Sequence, residues 1–130
     1  MSTMACDELF GVVLCVHGEL SPSDEEWDTF VDLCEKHLNG RCLVWADGGP
    51  RPAQRSKLNE RTKKGPLRTA VCSDSQVVRG LVTAFSWFNN KIKAFSKNDL
   101  EGALRHLDVP VTTADAVLTR LKKMRASLSK

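Results

Sequence analysis

The sequence predicts an α/β fold: one compact domain over residues 1–130, with a four- or five-stranded, mainly parallel sheet, helices on both faces and an extra C-terminal helix. Three observations predict it. Between residues 67 and 107 a short apolar strand, an amphipathic helix, a second short strand and a second helix follow one another with almost no linker. Two similar strand-to-helix passages precede that stretch, at residues 12–38 and 42–60. The chain is long enough to bury one core and short for two, and its 42% hydrophobic and 27% charged composition is that of a globular protein.

Residues 10–17 (FGVVLCVH) are a nearly continuous valine-rich run, as a strand covered on both faces requires. Ser23 can then cap a free backbone N–H while Glu26, three residues on, reaches back, and Asp24 and Glu25 suit the positive end of the helix dipole. Trp27, Phe30, Val31, Cys34 and Leu38 share one face of that helix, which Asn39-Gly40 ends. Residues 42–46 (CLVWA) read as the second strand, and Asp47-Gly48-Gly49-Pro50-Arg51-Pro52 as an exposed loop that excludes helix and strand. A helix over residues 53–62 offers a core only Ala53, Leu58 and the stems of its long basic residues. Residues 67–72 form the third strand. Ser73-Asp74-Ser75 then caps a helix over 76–88, in which Val77, Val78, Leu81, Val82, Phe85 and Phe88 recur at helical spacing, with Trp87 beside that stripe. Residues 92–95 make a fourth strand, and Ser96 caps a helix over 97–107 with Leu100, Ala103, Leu104 and Leu107 on its buried side. Asp108-Val109-Pro110 stops it. The last helix, 113–128, takes Thr112 or Thr113 as cap and aligns Val117, Leu118, Leu121, Met124 and Leu128, a stripe for packing on the sheet or for dimerisation.

No apolar run approaches the roughly 20 residues that cross a bilayer, and residues 1–8 carry acids where a secretory leader has bases. A cytoplasmic protein without membrane insertion is expected. Cys6, Cys15, Cys34, Cys42 and Cys72 form no CxxC pair, their number is odd, and most fall on expected apolar faces, so buried reduced thiols are expected rather than a metal site or disulfide. The net charge of +3 hides an asymmetry: residues 1–50 hold ten acids and two bases, residues 51–130 six acids and seventeen bases. Arg51, Arg55, Lys57, Arg61, Lys63, Lys64 and Arg68 against Glu60 make the densest basic segment. A bipolar surface follows unless the two halves interleave.

The stretch 67–107 resembles the second half of a STAS domain, the fold of bacterial anti-sigma-factor antagonists. The resemblance rests on the valine-rich strand, the helix reading Val78-Arg79-Gly80-Leu81, the short strand 92–95, and Ser96 before Asp99-Leu100-Glu101-Gly102-Ala103-Leu104. It implies a divergent STAS-like protein with a regulatory, signalling role through protein contacts and no enzymatic centre. In the sigma-regulatory members a serine or threonine shortly after an aspartate is phosphorylated by a partner kinase, which switches binding off. Here Asp47 is kept but the next hydroxyl is Ser56, so the resemblance does not carry that switch to this chain.

In such a sheet the strand carboxyl ends share one edge, where open α/β proteins usually bind their ligands. That edge carries His17, Asp47, Ser73, Asp74 and Ser75. Asp47, Gly48 and Gly49 form either a plain turn or a loop whose N–H groups can approach a partner. Ser73, Asp74 and Ser75 are cap residues first, although a phosphate on Ser75 would sit favourably at the helix start. His17-Gly18-Glu19 has the residue types of an acid/base pair but no third partner, and His37 and His106 occupy last helical turns, where a cation suits the dipole. A phosphate loop, metal cluster or catalytic triad pattern is missing, so no cofactor is expected. The basic segment holds no aromatic residue, which favours a protein partner with an acidic surface over nucleic acid. The expected function is therefore a non-enzymatic regulatory or adaptor protein. It would bind its partner through Asp47, Gly48, Gly49, Arg51, Arg55, Lys57, Arg61, Ser73, Asp74 and Ser75. The alternative is a small-ligand or lipid-binding domain with a pocket at the same edge.

Overall fold

The computed structural model describes residues 3–128. A hairpin of β1 (Met4–Leu9) and β2 (Val12–His17) opens the chain. There follow α1 (Asp24–Glu35), β3 (Arg41–Ala46), α2 (Pro52–Thr62), β4 (Arg68–Cys72), α3 (Gln76–Ser86), β5 (Ile92–Phe95), α4 (Leu100–His106) and α5 (Val111–Leu128). The five strands lie in chain order, with β1 antiparallel to β2 and the rest parallel. This is the expected single α/β domain, with its mainly parallel sheet covered on both faces.

Each parallel strand is added on the same side of the one before, so right-handed crossovers bring α1, α2 and α3 back over one face. Val13, Cys15, Cys42, Val44 and Val71 point to that face and meet Trp27, Phe30, Val31 and Cys34 of α1 and Val78 and Val82 of α3. The alternate residues Val12, Leu14, Val16, Leu43, Ala70 and Cys72 point the other way. They pack on Ala103 and Leu104 of α4 and on Val117, Leu121 and Met124 of α5, so the last helix covers the sheet. Within the parallel part the strand order never reverses. The switch-point crevice that opens between diverging crossovers is therefore not formed, and the rim of this sheet lacks the usual reason to be a binding site.

Several expected boundaries move, each for a local reason. The strand expected over 10–17 begins at Val12, because Phe10 and Gly11 have φ of 53° and 78° and make the two-residue turn of the β1–β2 hairpin. β1 itself is hidden in the sequence by its acids: Asp7 lies in the strand and pairs with Arg120 of α5. Ser96 does not cap α4. Asp99 does, accepting from Gly102 N at 3.0 Å, and the carboxylate occupies the space a Cβ at position 102 would need. α5 starts at Val111 rather than after Thr112 or Thr113, directly behind Pro110, whose carbonyl accepts from Thr113 N and Ala114 N. On α2, Ala53 is exposed, and the buried residues are Gln54 and Thr62.

All five cysteines are free. Burial pushes the Cys15 thiol well up and Cys72 to about 12, and a hydrogen bond with Cys42, reinforced by burial, raises Cys34. These thiols stay protonated and behave as small apolar groups.

Phe10 is 58% exposed, so little burial offsets its left-handed backbone. Phe10→Asn should raise unfolding stability by about 1 kcal/mol, read from urea denaturation with unchanged slope.

Candidate functional site

The strand carboxyl ends do gather the aspartate and serine turns, but they gather them into a brace. β3 and β4 are neighbours, with Trp45 beside Cys72, so Asp47 and Ser73 leave the sheet side by side. The Asp47 carboxylate pairs with Lys97. Asp74 accepts from Ser96 Oγ and from Lys97 N, both at 3.1 Å, so the turn after β5 ties both aspartates together. Lys97 and Arg125 also lie over the Trp45 ring, at 5.1 and 3.8 Å from its centre. Ser73 is 1% exposed and its hydroxyl accepts from Ser75 N, while Ser75 caps α3 by accepting from Val78 N. Ser96 and Lys97, which complete this brace, carry no sequence signal beyond a cap pattern.

The glycines of the loop are there for packing. A Cβ on Gly48 would overlap the Glu19 carbonyl oxygen, and one on Gly49 would lie 2.6 Å from Leu81 Cδ1. The loop after β3 is wedged between the loop after β2 and α3.

The basic residues of α2 mostly face α1. Arg51 pairs with Asp24 at 2.6 Å, Lys57 with Asp28, and Arg61 with Asp32 at 2.7 Å and Glu35 at 2.6 Å. The hydrogen bond from Arg61, more than its charge, draws the Glu35 carboxyl below its ordinary range. The acidic and basic halves of the chain thus interleave along the α1–α2 seam, and the bipolar surface is largely cancelled there. Arg55 is the exception among the four basic residues expected at the contact: no described acid pairs with it, and it faces α3.

Between α2 and α3 lies a cleft. Val44, Val71 and Val82 line its floor, Leu58 its α2 side, and Leu81 and Phe85 its α3 side; the cleft, half open to solvent, has a volume of about 90 Å³. Above it, Arg55, Ser56, Asn59 and Glu60 of α2, with Lys63 just past its end and paired with Glu60 at 2.8 Å, face Ala84 and Phe85 and the turn residues Trp87 and Phe88. Trp87 is 77% and Phe88 66% exposed, so Phe88 does not join the buried stripe expected of it; α3 ends at Ser86 and the stripe runs out over the cleft. Phe85, Phe88, Asn59 and Lys63 do not read as contact residues in the sequence. The available signal is an apolar-rich α3 following a helix with almost nothing apolar to pack on it.

His17 lines the inner end of the cleft. Its ring stands 6.0 Å from Trp27 and 6.4 Å from Phe30, and buried Nδ1 has no hydrogen-bond partner. Burial lowers its pKa to about 4, against a smaller opposing pull from Glu26. Burial would raise the Glu26 carboxyl, but hydrogen bonds from Thr3, Ser23 and Met4 outweigh it and bring the pKa to about 2. Among the described residues no group of three His, Cys, Asp or Glu side chains could hold a metal ion, and no helix is long and apolar enough to cross a membrane. Compared with protein-family models, curated proteins and solved structures, the chain finds no match.

The His17 shift sets an acid limit on stability. Below about pH 6.5 the unfolded chain takes up a proton that the folded chain refuses until about pH 4, so stability falls as the solution is acidified through that window. Between pH 7 and 5 the loss from His17 should be about 2 kcal/mol, with only a few tenths from Glu26, and His17→Phe should remove most of the loss in urea unfolding at the two pH values. Gly48→Ala should destabilise by roughly 1–3 kcal/mol through overlap with backbone. Gly80→Ala, in open space on α3, should instead stabilise by roughly 0.5–1 kcal/mol. Thermal melts of the two variants read the opposite signs directly.

Proposed function

We propose that this domain is a non-enzymatic regulatory or adaptor module of STAS-like type, and that it captures a protein partner in the cleft between α2 and α3. The observation that carries this reading is the aromatic wall facing a polar one: Phe85, Trp87 and Phe88 across from Arg55, Asn59 and the paired Glu60 and Lys63. Large apolar side chains left in water beside a groove are the usual anchors of an interface, and burying each is worth roughly 1.5–3 kcal/mol. The partner that fits is an amphipathic helix, with apolar side chains at helical spacing set into the cleft and a carboxylate on the flank that meets Arg55. Arg55 steers the approach, while Trp87 and Phe88 set the dwell time.

This reading moves the contact surface away from much of the sequence expectation. Lys57 and Arg61 hold α2 to α1, and Asp47 and Asp74 brace the rim, so these residues act on the partner only by positioning the cleft. Ser75, as a helix cap at the rim, lies outside the groove and is not part of the proposed capture.

Of the three tryptophans Trp27 and Trp45 are buried, so Trp87 reports on the groove. Peptides selected against the protein from a displayed helical library should carry paired apolar anchors and an acidic flank, and should shift its tryptophan emission to the blue. Trp87→Ala with Phe88→Ala should weaken them at least about tenfold, and Arg55→Glu should slow their association more at low salt than at high salt. Selected peptides indifferent to all three changes would defeat the proposal. So would tight binding of a single-stranded oligonucleotide that quenches Trp87.

A further inference from the structure

We infer that the rim formed by the strand amino ends is a docking surface for an anionic lipid bilayer, met at headgroup level with Phe10 as an apolar anchor. Two independent features meet there. The first is charge. The segments leading into β3, β4 and β5, residues 36–41, 63–68 and 87–91, hold Lys36, Arg41, Lys63, Lys64, Arg68 and Lys91 and no aspartate or glutamate. Hydrogen bonds join them into one platform: Asn39 N donates to the Gly65 carbonyl at 2.8 Å, Arg68 N to that of Gly40 at 2.9 Å, and Asn89 Nδ2 to that of Leu67 at 2.7 Å. Lys63 pairs with Glu60 and Arg41 donates to the Asp108 carbonyl, but no described acid pairs with Lys36, Lys64, Arg68 or Lys91. Glu8, whose carboxylate accepts from Gly11 N, and Asp108 lie at the border of the platform, and Glu35 is held by Arg61.

The second feature is apolar. Among the described residues six large apolar side chains are exposed, and four of them, Phe10, Trp87, Phe88 and Val111, border this rim. Phe10 lies in the turn before β2, whose first residue is the neighbour of Arg41; Trp87 and Phe88 lead into β5; Val111 opens α5 just beyond the carbonyl that Arg41 holds. Phe10 is the most telling, because its turn position favours asparagine or glycine, its φ is 53°, and the fold gains little from a ring left in water. Apolar tips around a basic centre suit the boundary of an anionic bilayer: the tips enter beside the headgroups, and the lysine stems keep their ammonium groups among the phosphates. A nucleic acid would use the same bases, but Val111 has no ring to stack on a nucleobase, and the bilayer accounts for all four apolar residues. Trp87 and Phe88 stand where the rim meets the groove and serve the helix-capture reading as well. Phe10, on the β1 side of the sheet, belongs to the rim alone, so the bilayer inference stands if that reading fails.

The test is co-sedimentation of the full chain with vesicles of phosphatidylcholine alone and of phosphatidylcholine with about one third phosphatidylglycerol. The mixed vesicles should bind at least about tenfold more tightly than the neutral ones, and added salt should remove most of the difference. Lys36→Glu with Lys64→Glu, both at exposed positions, should weaken binding to mixed vesicles at least about tenfold. Phe10→Asn should weaken it at least about fivefold. Because asparagine suits the left-handed turn better than phenylalanine, a loss in that variant cannot be put down to unfolding, and a thermal melt checks it. No binding to mixed vesicles, equal binding to neutral ones, or indifference to either variant would each overturn the inference. So would a single-stranded oligonucleotide that binds through Lys36 and Lys64 more tightly than the vesicles do. No helical peptide enters this experiment, so its failure and that of the groove proposal are told apart.

Discussion

The shortage of apolar side chains on α2 shapes this molecule more than any single contact. Sequential strand order places three helices on one face of the sheet, and a helix in the middle of such a row normally packs on both neighbours and on the strands beneath. α2 can offer Leu58 and little else. It is fastened to one side only: Trp27 Nε1 donates to the Gln54 carbonyl at 2.7 Å, Gln54 Nε2 donates to the Pro22 carbonyl at 2.9 Å, and the ion pairs run along the same seam. Exposed ion pairs contribute roughly 0–1 kcal/mol each, so the buried hydrogen bonds of Gln54 and Trp27 are the firmer part of the joint. On the other side no hydrogen bond or ion pair among the described residues joins α2 to α3, and Leu58 alone packs towards the shared core, so the cleft stays open.

The rim complements that open side by being rigid. Asp47, Asp74, Ser96 and Lys97 interlock across the ends of β3, β4 and β5, and Trp45 is covered by two cations. Gly48 seats the loop after β3 directly on the backbone of the loop after β2. Polar residues that look like a docking edge in one dimension are thus largely satisfied by each other in three. They fix the cleft where it meets the strand carboxyl ends, through Gly49 against Leu81 and the cap of Ser75 on α3.

Strand-to-helix passages are legible because burial on two faces leaves unbroken apolar runs, as in Val12 to Val16 and Cys42 to Ala46. The edge strand β1 is not, since one side of it is half-buried and its acids are balanced by a helix more than a hundred residues away. Caps are legible where one residue type does one job, as at Ser23 and Ser75. They fail at Ser96, where Asp99 competes, and at Thr113, where a proline carbonyl starts the helix. For the site, the sequence locates the rim and the basic helix, but the partners of that helix are carboxylates some thirty positions upstream, and pairing across α1 and α2 cannot be seen along the chain. Gln54 illustrates the limit: a polar residue among basic ones reads as surface, and becomes core only because Trp27 and Pro22 both bond to it.

One cost stands out at the inner end of the cleft. A buried, unpaired imidazole nitrogen on His17 costs roughly 1–3 kcal/mol. An apolar residue at position 17 would remove it, and such a residue is ordinary at a strand end. The rest of the domain follows local rules closely, with capped helices, paired charges and alternating strand faces. Against that background the unpaired nitrogen of His17 is a departure that stability alone does not explain.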